Sequence, residues 1–221
     1  MGNFAQNDGV GNSMILASAS PARLAILRGI GVEPIVRVAD VDEDAILATA
    51  IADGDRAGSP LGPAEQVLVL ARAKAEAVAA LSPERTFLLG CDSMFEMGDA
   101  VVGKPRTAEI AIERLKQMRG GSGLLHTGHW LIDLRGDAVE AVGGTSTTRV
   151  HIGDLSDAEI EAYVATGEPL RVAGAFTIDG LGGPYVTGIE GDHHGVIGLS
   201  LPLFRELLLQ RGVMIHELRN T

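Results

Sequence analysis

The residues best able to do chemistry in this chain are one lysine, two carboxylates, and a cluster of hydroxyls beside an arginine. Lys74 lies in an apolar-rich stretch over residues 64–81. Val67, Leu70, Ala71, Ala77, Val78 and Leu81 stand three, four or seven residues from it. On a helix that spacing puts Lys74 on the buried side, while Arg72 points elsewhere. A lysine there must find a negative partner or reach an opening. The alternative is an alkyl stem that snorkels to the rim of the helix interface. Asp92 follows residues 86–91, an almost continuous apolar run that predicts a buried strand. The strand would deliver Asp92 at its C-terminal end, where α/β sheets collect ligands. A carboxylate there can hold a metal or take a proton from water, or simply cap a turn. Asp42 and Glu43 follow a second strand-like segment, residues 34–39. Two carboxylate-bearing strand ends suit Mg²⁺, which prefers a few carboxylates together with water and phosphate oxygens. A solvated helix start would account for Asp42 and Glu43 equally well.

Three further groups have weaker signals. Lys104 sits in Gly103-Lys104-Pro105, where glycine permits close approach and proline stiffens the turn. The run Ser18-Ala19-Ser20-Pro21-Ala22-Arg23 gathers hydroxyls, helix N-terminal amides and one arginine, an anion-binding combination. It is not a Walker loop, because GxxxxGK[ST] is absent. His193-His194 invites a metal reading, but Gly191, Asp192 and Gly195 around the pair suggest a loop, and adjacent histidines in extended chain face opposite ways. Cys91 has no histidine near it in a familiar pattern and reads as a small core residue. Ser18 and Ser20 lie outside any GxSxG elbow.

The elements that must position these residues are legible in outline. Residues 1–13 read as a flexible tail, and 14–18 as a short buried strand. Ser20-Pro21 marks an N-cap with proline at the first helical position, and the helix should end near Gly29 or Gly31. The acids at 40–44 open a second helix, whose dipole favours them. Residues 53–63 read as a mobile loop and 64–81 as a strong helix. Residues 96–99 turn the chain and 101–102 return it. Residues 107–119 are helical, and 124–134 with 138–151 form a long hairpin. Ser156 and Glu159 make a capping-box pattern for a helix running to Gly167. Glycine-rich strands, a last helix from about Leu201 and a closing strand complete the chain.

Composition bounds the function. With 221 residues and 46% apolar content, the chain can bury a substantial core. A formal net charge of −11 and only 4% aromatic residues argue against binding to a nucleic-acid polymer. A small polyanion is still acceptable if local cations and a divalent metal reverse the field at one site. A single cysteine allows no internal disulfide. The N-terminal segment lacks a signal-peptide pattern, and no apolar run is long enough to span a membrane. A cytoplasmic protein is therefore expected.

Taken in order, these segments resemble the Maf family, also called septum-formation inhibitor proteins, which are nucleotide pyrophosphatases. The resemblance is carried by Leu16-Ala17-Ser18-Ala19-Ser20-Pro21-Ala22-Arg23, Asp40-Val41-Asp42-Glu43, Ala71-Arg72-Ala73-Lys74-Ala75, Gly90-Cys91-Asp92-Ser93 and Gly103-Lys104-Pro105. It continues through His126-Thr127-Gly128, the Tyr163–Pro169 segment, Ala173-Gly174-Ala175-Phe176 and Ile189-Glu190-Gly191-Asp192 with Val196-Ile197-Gly198-Leu199. It implies an α/β fold like that of inosine triphosphate pyrophosphatases: an elongated mixed sheet flanked by helices, with a cleft between two lobes. It also implies Asp92 as catalytic base and Glu43 as a metal-associated acid, with Mg²⁺ or Mn²⁺ as cofactor. Ser18, Ser20, Arg23, Lys74 and Lys104 would bind the substrate, and a homodimer is the family-level expectation.

The chain departs from the family at positions that bear on the base. The thymidine/uridine-selective group resembles Arg, Thr and Gln at the positions of Ala22, Ser93 and Asp179, and the 7-methyl-GTP-selective group resembles Trp, Gln and Glu there. This chain fits neither set. A frequent Asp-Lys before the Ala-Gly is Arg171-Val172 here, and a usual histidine in the 120–128 segment is Gly123. The expected reaction is hydrolysis of a nucleoside triphosphate, including modified ones, to monophosphate and pyrophosphate. The rival is a nucleotide-binding regulator of cell division without essential catalysis. Asp179 can accept from the amino group of cytosine or the N–H edge of guanine, or instead cap a turn at Gly180.

Overall fold

The computed structural model describes residues 14–38, 40–98 and 100–219, so the segment read as a tail, 1–13, lies outside the described residues. The strands are β1 (Met14–Ala17), β2 (Ile35–Val36), β3 (Phe87–Met97), β4 (Ala100–Val102), β5 (Ser122–Asp133), β6 (Glu140–Ile152) and β7 (Val186–Glu190). The helices are α1 (Pro21–Gly29), α2 (Glu43–Arg56), α3 (Pro63–Ala79), α4 (Ala108–Met118), α5 (Asp157–Ala165), α6 (His193–Ile197) and α7 (Leu201–Gln210). All seven strands join one mixed sheet in the order β2-β1-β3-β5-β6-β7, with β4 added to the far end of β3. β1 is parallel to β2 and β3, and the β3-β5, β5-β6 and β6-β7 pairs are antiparallel. The expected α/β fold with a mixed sheet and flanking helices is observed. Among the described residues no helix is long and apolar enough to cross a membrane.

The helix signals act as read. Ser20 caps α1 by accepting from the Arg23 amide, and Asp42 caps α2 by accepting from the Ala45 amide. Ser156 and Glu159 form both halves of the capping box on α5. Each cap satisfies a helix N–H that has no intrahelical acceptor.

Four expectations fail. β3 does not stop at Cys91. Its antiparallel partner β5 continues through the Glu96–Leu124 pair, so Asp92 stands mid-strand. The 53–63 segment is a loop only after Arg56, because α2 continues to that residue and Arg56 reaches back to Asp53 at 2.7 Å. Of residues 34–39, only Ile35 and Val36 pair with β1. The glycine-rich strands and the closing strand are largely 3₁₀ turns, at Glu168–Arg171, Ala173–Ala175, Gly183–Tyr185 and Ile215–Leu218. Gly167 and Gly174, both at φ near +75°, favour such turns over extended chain.

Among the described residues there are four apolar clusters, of which two are large. One gathers Leu16, Leu27, Phe87, Leu89 and Cys91 with Phe204 and Leu208 of α7. The other gathers Phe95, Leu115, Leu125, Ile160 and Phe176, with Phe95 and Phe176 edge to face at 5.3 Å. β3 runs through both and crosses between them at Asp92–Met94. Helix α3 lies directly on β3 and β5. A methyl group added at Gly90 would stand 2.4 Å from the Ala71 carbonyl, and one at Gly128 would stand 2.5 Å from that of Val67. Only glycine admits a helix this close.

The buried His129 ties β5 to the start of α7. Its Nδ1–H donates to the Thr127 carbonyl at 3.0 Å, and its Nε2 accepts from the Ser200 amide at 2.8 Å. That pattern requires neutral imidazole. Burial, helped by the charge of Arg23, lowers its pKa from 6.5 to about 4. The unfolded chain therefore binds a proton first as pH falls. Stability should drop between about pH 6.5 and 4, by on the order of 3 kcal/mol from this group. Urea unfolding across that range should show the decline, and His129→Gln should show a shallower one. A wild-type stability flat across the window contradicts the assignment.

Candidate active site

The open edge of β3 creates the site. β1 pairs with β3 only as far as Ala17 opposite Gly90, and β4 begins only at Val102 opposite Phe95. Between these, the Cys91–Met94 edge has no strand neighbour on that side among the described residues. A cavity of about 800 Å³ opens there, between the two large apolar clusters. This is the expected cleft between lobes, and it falls in the usual size range for small-molecule sites.

Asp92 shares the face of β3 that carries Gly90, because side chains two apart on a strand point the same way. The close approach of α3 at Gly90 and Gly128 sets Lys74 on that carboxylate. Lys74 Nζ lies 2.5 Å from Asp92 Oδ1 and 2.9 Å from Glu43 Oε1. The buried-side reading of Lys74 thus resolves to a lysine that has found two negative partners. Glu43 comes from the first turn of α2 rather than from a strand end. The three side chains differ in access: Lys74 is 18% exposed, Asp92 12% and Glu43 49%. The inner carboxylate is sheltered while the outer one faces the opening.

Arg23 sits on the other side of the open edge and is only 9% exposed. Its Nε donates to the Gly198 carbonyl at 2.8 Å. Nη1 donates to the Cys91 carbonyl at 2.8 Å and to Ser18 Oγ at 2.9 Å, and Nη2 to Ser93 Oγ at 3.1 Å. It replaces the missing strand neighbour of β3 and ties in the turn after α6. Ser18 Oγ is engaged by Arg23 and by the Ser20 amide, and Ser20 Oγ caps α1. Ser93 Oγ also meets Thr127 Oγ1 at 2.9 Å, whose hydroxyl donates to the Gly195 carbonyl. The side-chain polar atoms of Ser18, Ser20 and Arg23 are thus engaged within the fold, and all three residues line the cavity.

Ala22, Lys104 and Asp179 complete the cavity wall. The ten residues expected to bind substrate, carry catalysis or choose the base all line it: Ser18, Ser20, Ala22, Arg23, Glu43, Lys74, Asp92, Ser93, Lys104 and Asp179. Asp179 does not cap the Gly180 turn, and no partner holds its side chain among the described residues. Glu168 does that work. Its carboxylate accepts from Tyr163 Oη, Thr177 Oγ1 and the Gly182 amide on one oxygen and from the Leu181 amide on the other, at 2.6–3.0 Å. Burial opposes its charge, but these four donors outweigh burial and hold the carboxyl below the usual range. Sequence reasoning missed Glu168 and Arg171, which also lines the cavity. Nothing local marks Glu168, because its partners lie five to fourteen residues away.

Two other groups are accounted for. Burial pushes the Cys91 thiol up to about 12, against the opposing charge of Arg23, so it is inert at neutral pH. His193 and His194 belong to the short helix α6, not to a loop, and their rings lie 3.9 Å apart. Asp192 beside them offers a third ligand atom within 4.8 Å. Both its oxygens, however, already cap the His194 and Gly195 amides.

The fold and cleft define a class: an α/β protein with a charge-lined cleft of about 800 Å³ in its wall. The sequence model of the Maf-like protein family matches residues 13–211, and the chain belongs to that family. A curated relative from Leifsonia xyli subsp. xyli is 49% identical over 211 residues, covering 94% of this chain and 96% of the relative. One from Salinispora tropica is 50% identical over 210 residues, covering 93% and 86%. One from Corynebacterium diphtheriae is 47% identical over 208 residues, covering 94% and 98%. Each of these relatives is named nucleoside triphosphate pyrophosphatase.

If Arg23 is a strut, removing it strands the buried Gly198 and Cys91 carbonyls. Arg23→Gln should lower unfolding free energy by at least about 2 kcal/mol, measured by urea denaturation. Wild-type stability in this variant, with weakened ligand binding alone, would return Arg23 to the ligand side.

Proposed function

We propose that this protein is a nucleoside triphosphate pyrophosphatase that hydrolyses its substrate to a nucleoside monophosphate and pyrophosphate. The observation that carries this reading is the Glu43–Lys74–Asp92 constellation on the wall of the cleft. The name shared by relatives at 47–50% identity across nearly the whole chain supports it. Water attacks the α-phosphorus, a P–O bond forms to that oxygen, and the bond to the bridging oxygen of the β-phosphate breaks. Asp92 takes the proton from the water, and pyrophosphate departs with the electron pair of the broken bond. Lys74 fixes Asp92 through Oδ1, leaving Oδ2 for the water. An ammonium has three N–H donors; one is hydrogen-bonded to Asp92 Oδ1, and Glu43 is an ion-pair neighbour at 2.9 Å. A donor not committed to Asp92 is available to a phosphate oxygen. Most of the acceleration then comes from positioning and charge stabilisation, as in phosphoryl transfer generally.

A divalent cation fits this donor set. Glu43 and Asp92 are hard oxygen donors that converge on one cationic group, and Mg²⁺ favours one or two carboxylates with water and phosphate. Such an ion, Mg²⁺ or Mn²⁺, would neutralise charge on the triphosphate when bound. Base choice falls to Ala22, Ser93 and Asp179. The unpartnered Asp179 is an acceptor when ionised. It pairs with the amino group of cytosine or the N–H edge of guanine, not with the carbonyl oxygens of uracil or thymine. Cytosine and guanine nucleotides, including modified ones, are the preferred substrates on this reading.

A nucleotide panel with pyrophosphate and orthophosphate measured side by side tests the activity, the cofactor and the base together. Pyrophosphate should be the product, turnover should vanish with chelator and return with Mg²⁺ or Mn²⁺, and some cytosine or guanine nucleotide should exceed dTTP and UTP in kcat/KM. Orthophosphate as sole product would overturn the reaction, and full turnover in chelator would remove the metal. A dTTP or UTP preference would remove Asp179 from base selection.

Asp92→Asn keeps the shape of the side chain and removes the base. The variant should fold normally by circular dichroism and lose at least about a hundredfold in kcat. Near-normal turnover would take Asp92 out of the mechanism.

A further inference from the structure

Four cationic side chains line the cleft: Arg23, Lys74, Lys104 and Arg171. They are not equally available to a ligand. Arg23 directs its guanidinium at four acceptors of the fold, and Lys74 is held between two carboxylates. Lys104 and Arg171 are exposed, and neither side chain has a hydrogen-bond or ion-pair partner among the described residues. A polyanion entering a chain of net charge −11 needs positive charge that is not already neutralised.

The two free cations stand on stiff, adjoining supports. The Lys104 turn is fastened to α4 by Arg114, which donates to the Gly103 carbonyl at 2.6 Å, and Pro105 behind it is buried. Arg171 ends the 3₁₀ turn Glu168–Arg171, which is anchored by the multiply bonded Glu168 and the buried Pro169. The Arg106 amide donates to the Leu170 carbonyl at 3.3 Å and links the two supports. A guanidinium offered from such a base can take two phosphate oxygens at once.

We propose that Arg171 is a phosphate-binding residue that acts beside Lys104 on the polyphosphate chain of the nucleotide. The pair supplies cationic N–H donors that the fold has not already engaged, whereas Arg23 has committed four of its N–H groups internally. The inference deepens the pyrophosphatase reading and rests on it for the identity of the ligand. Arg106 is a built-in control. It carries the same charge on the neighbouring turn, also without a side-chain partner, but it is not part of the cavity wall.

Calorimetric binding of inorganic pyrophosphate to the full chain, with its divalent cation, tests the proposal independently of turnover. Arg171→Gln should weaken pyrophosphate binding about tenfold. KM for the best nucleotide should rise in parallel, while kcat changes far less. Arg171→Lys should recover part of the loss, and Arg106→Gln should match wild type. Wild-type pyrophosphate affinity in Arg171→Gln overturns the assignment, as does an equal loss in Arg106→Gln, which would reduce the effect to net charge. A wild-type protein that binds pyrophosphate through Arg171 but hydrolyses no nucleotide would refute the pyrophosphatase reading and leave Arg171 as an anion ligand.

Discussion

The cleft depends on β3 being longer than β1 and β4, the two strands that share its other edge. β1 runs out opposite Gly90, β4 joins only at Phe95, and the intervening edge is left with carbonyls and amides that need partners. Unpaired backbone groups away from water are costly. Arg23 meets part of that need by donating to the Cys91 carbonyl. The same gap exposes Asp92 and Ser93 to one cavity although they lie on opposite faces of the strand. An edge filled by another strand would have closed the site.

Charge in the cleft is divided between framework and function. Arg23 sits in the interior and has its demands met by carbonyl and hydroxyl oxygens, not by a carboxylate, so its positive charge is not neutralised locally. That charge also contributes to keeping His129 neutral. Lys74 has the opposite arrangement, one ammonium between two acids. Glu43 is half exposed and Asp92 nearly buried, so the outer acid is the more accessible of the two.

The far wall of the cleft is built on a different device. Between α5 and β7 the chain forms no strand that could hold it, and one carboxylate, Glu168, gathers a hydroxyl from α5 with a hydroxyl and two amides from the 177–182 loop. Added methyl groups at Gly180 and Gly182 would collide with Glu168 and Tyr163 respectively. The loop that presents Asp179 is therefore fixed by side-chain bonding without a backbone ladder.

The sequence by itself determined what depends on near neighbours. Caps at Ser20, Asp42 and Ser156, the amphipathic period of α3 and the β5-β6 hairpin all follow from residues within a few positions of one another. The periodicity around Lys74 already demanded a negative partner or an opening, and the ordered motifs identified the family and the residues around the cleft. Tertiary structure decided everything that depends on which distant atoms meet. It set Asp92 in the middle of β3, because the length of a strand is fixed by its partners and β5 continues past it. It gave Arg23 acceptors as far away as Gly198, which no local pattern announces. It left Arg171 free and Glu168 saturated, a distinction that neither residue type nor spacing encodes. Local propensity acts over one turn of helix or one hairpin, whereas the partner of a buried charge is chosen only when the sheet and its helices pack.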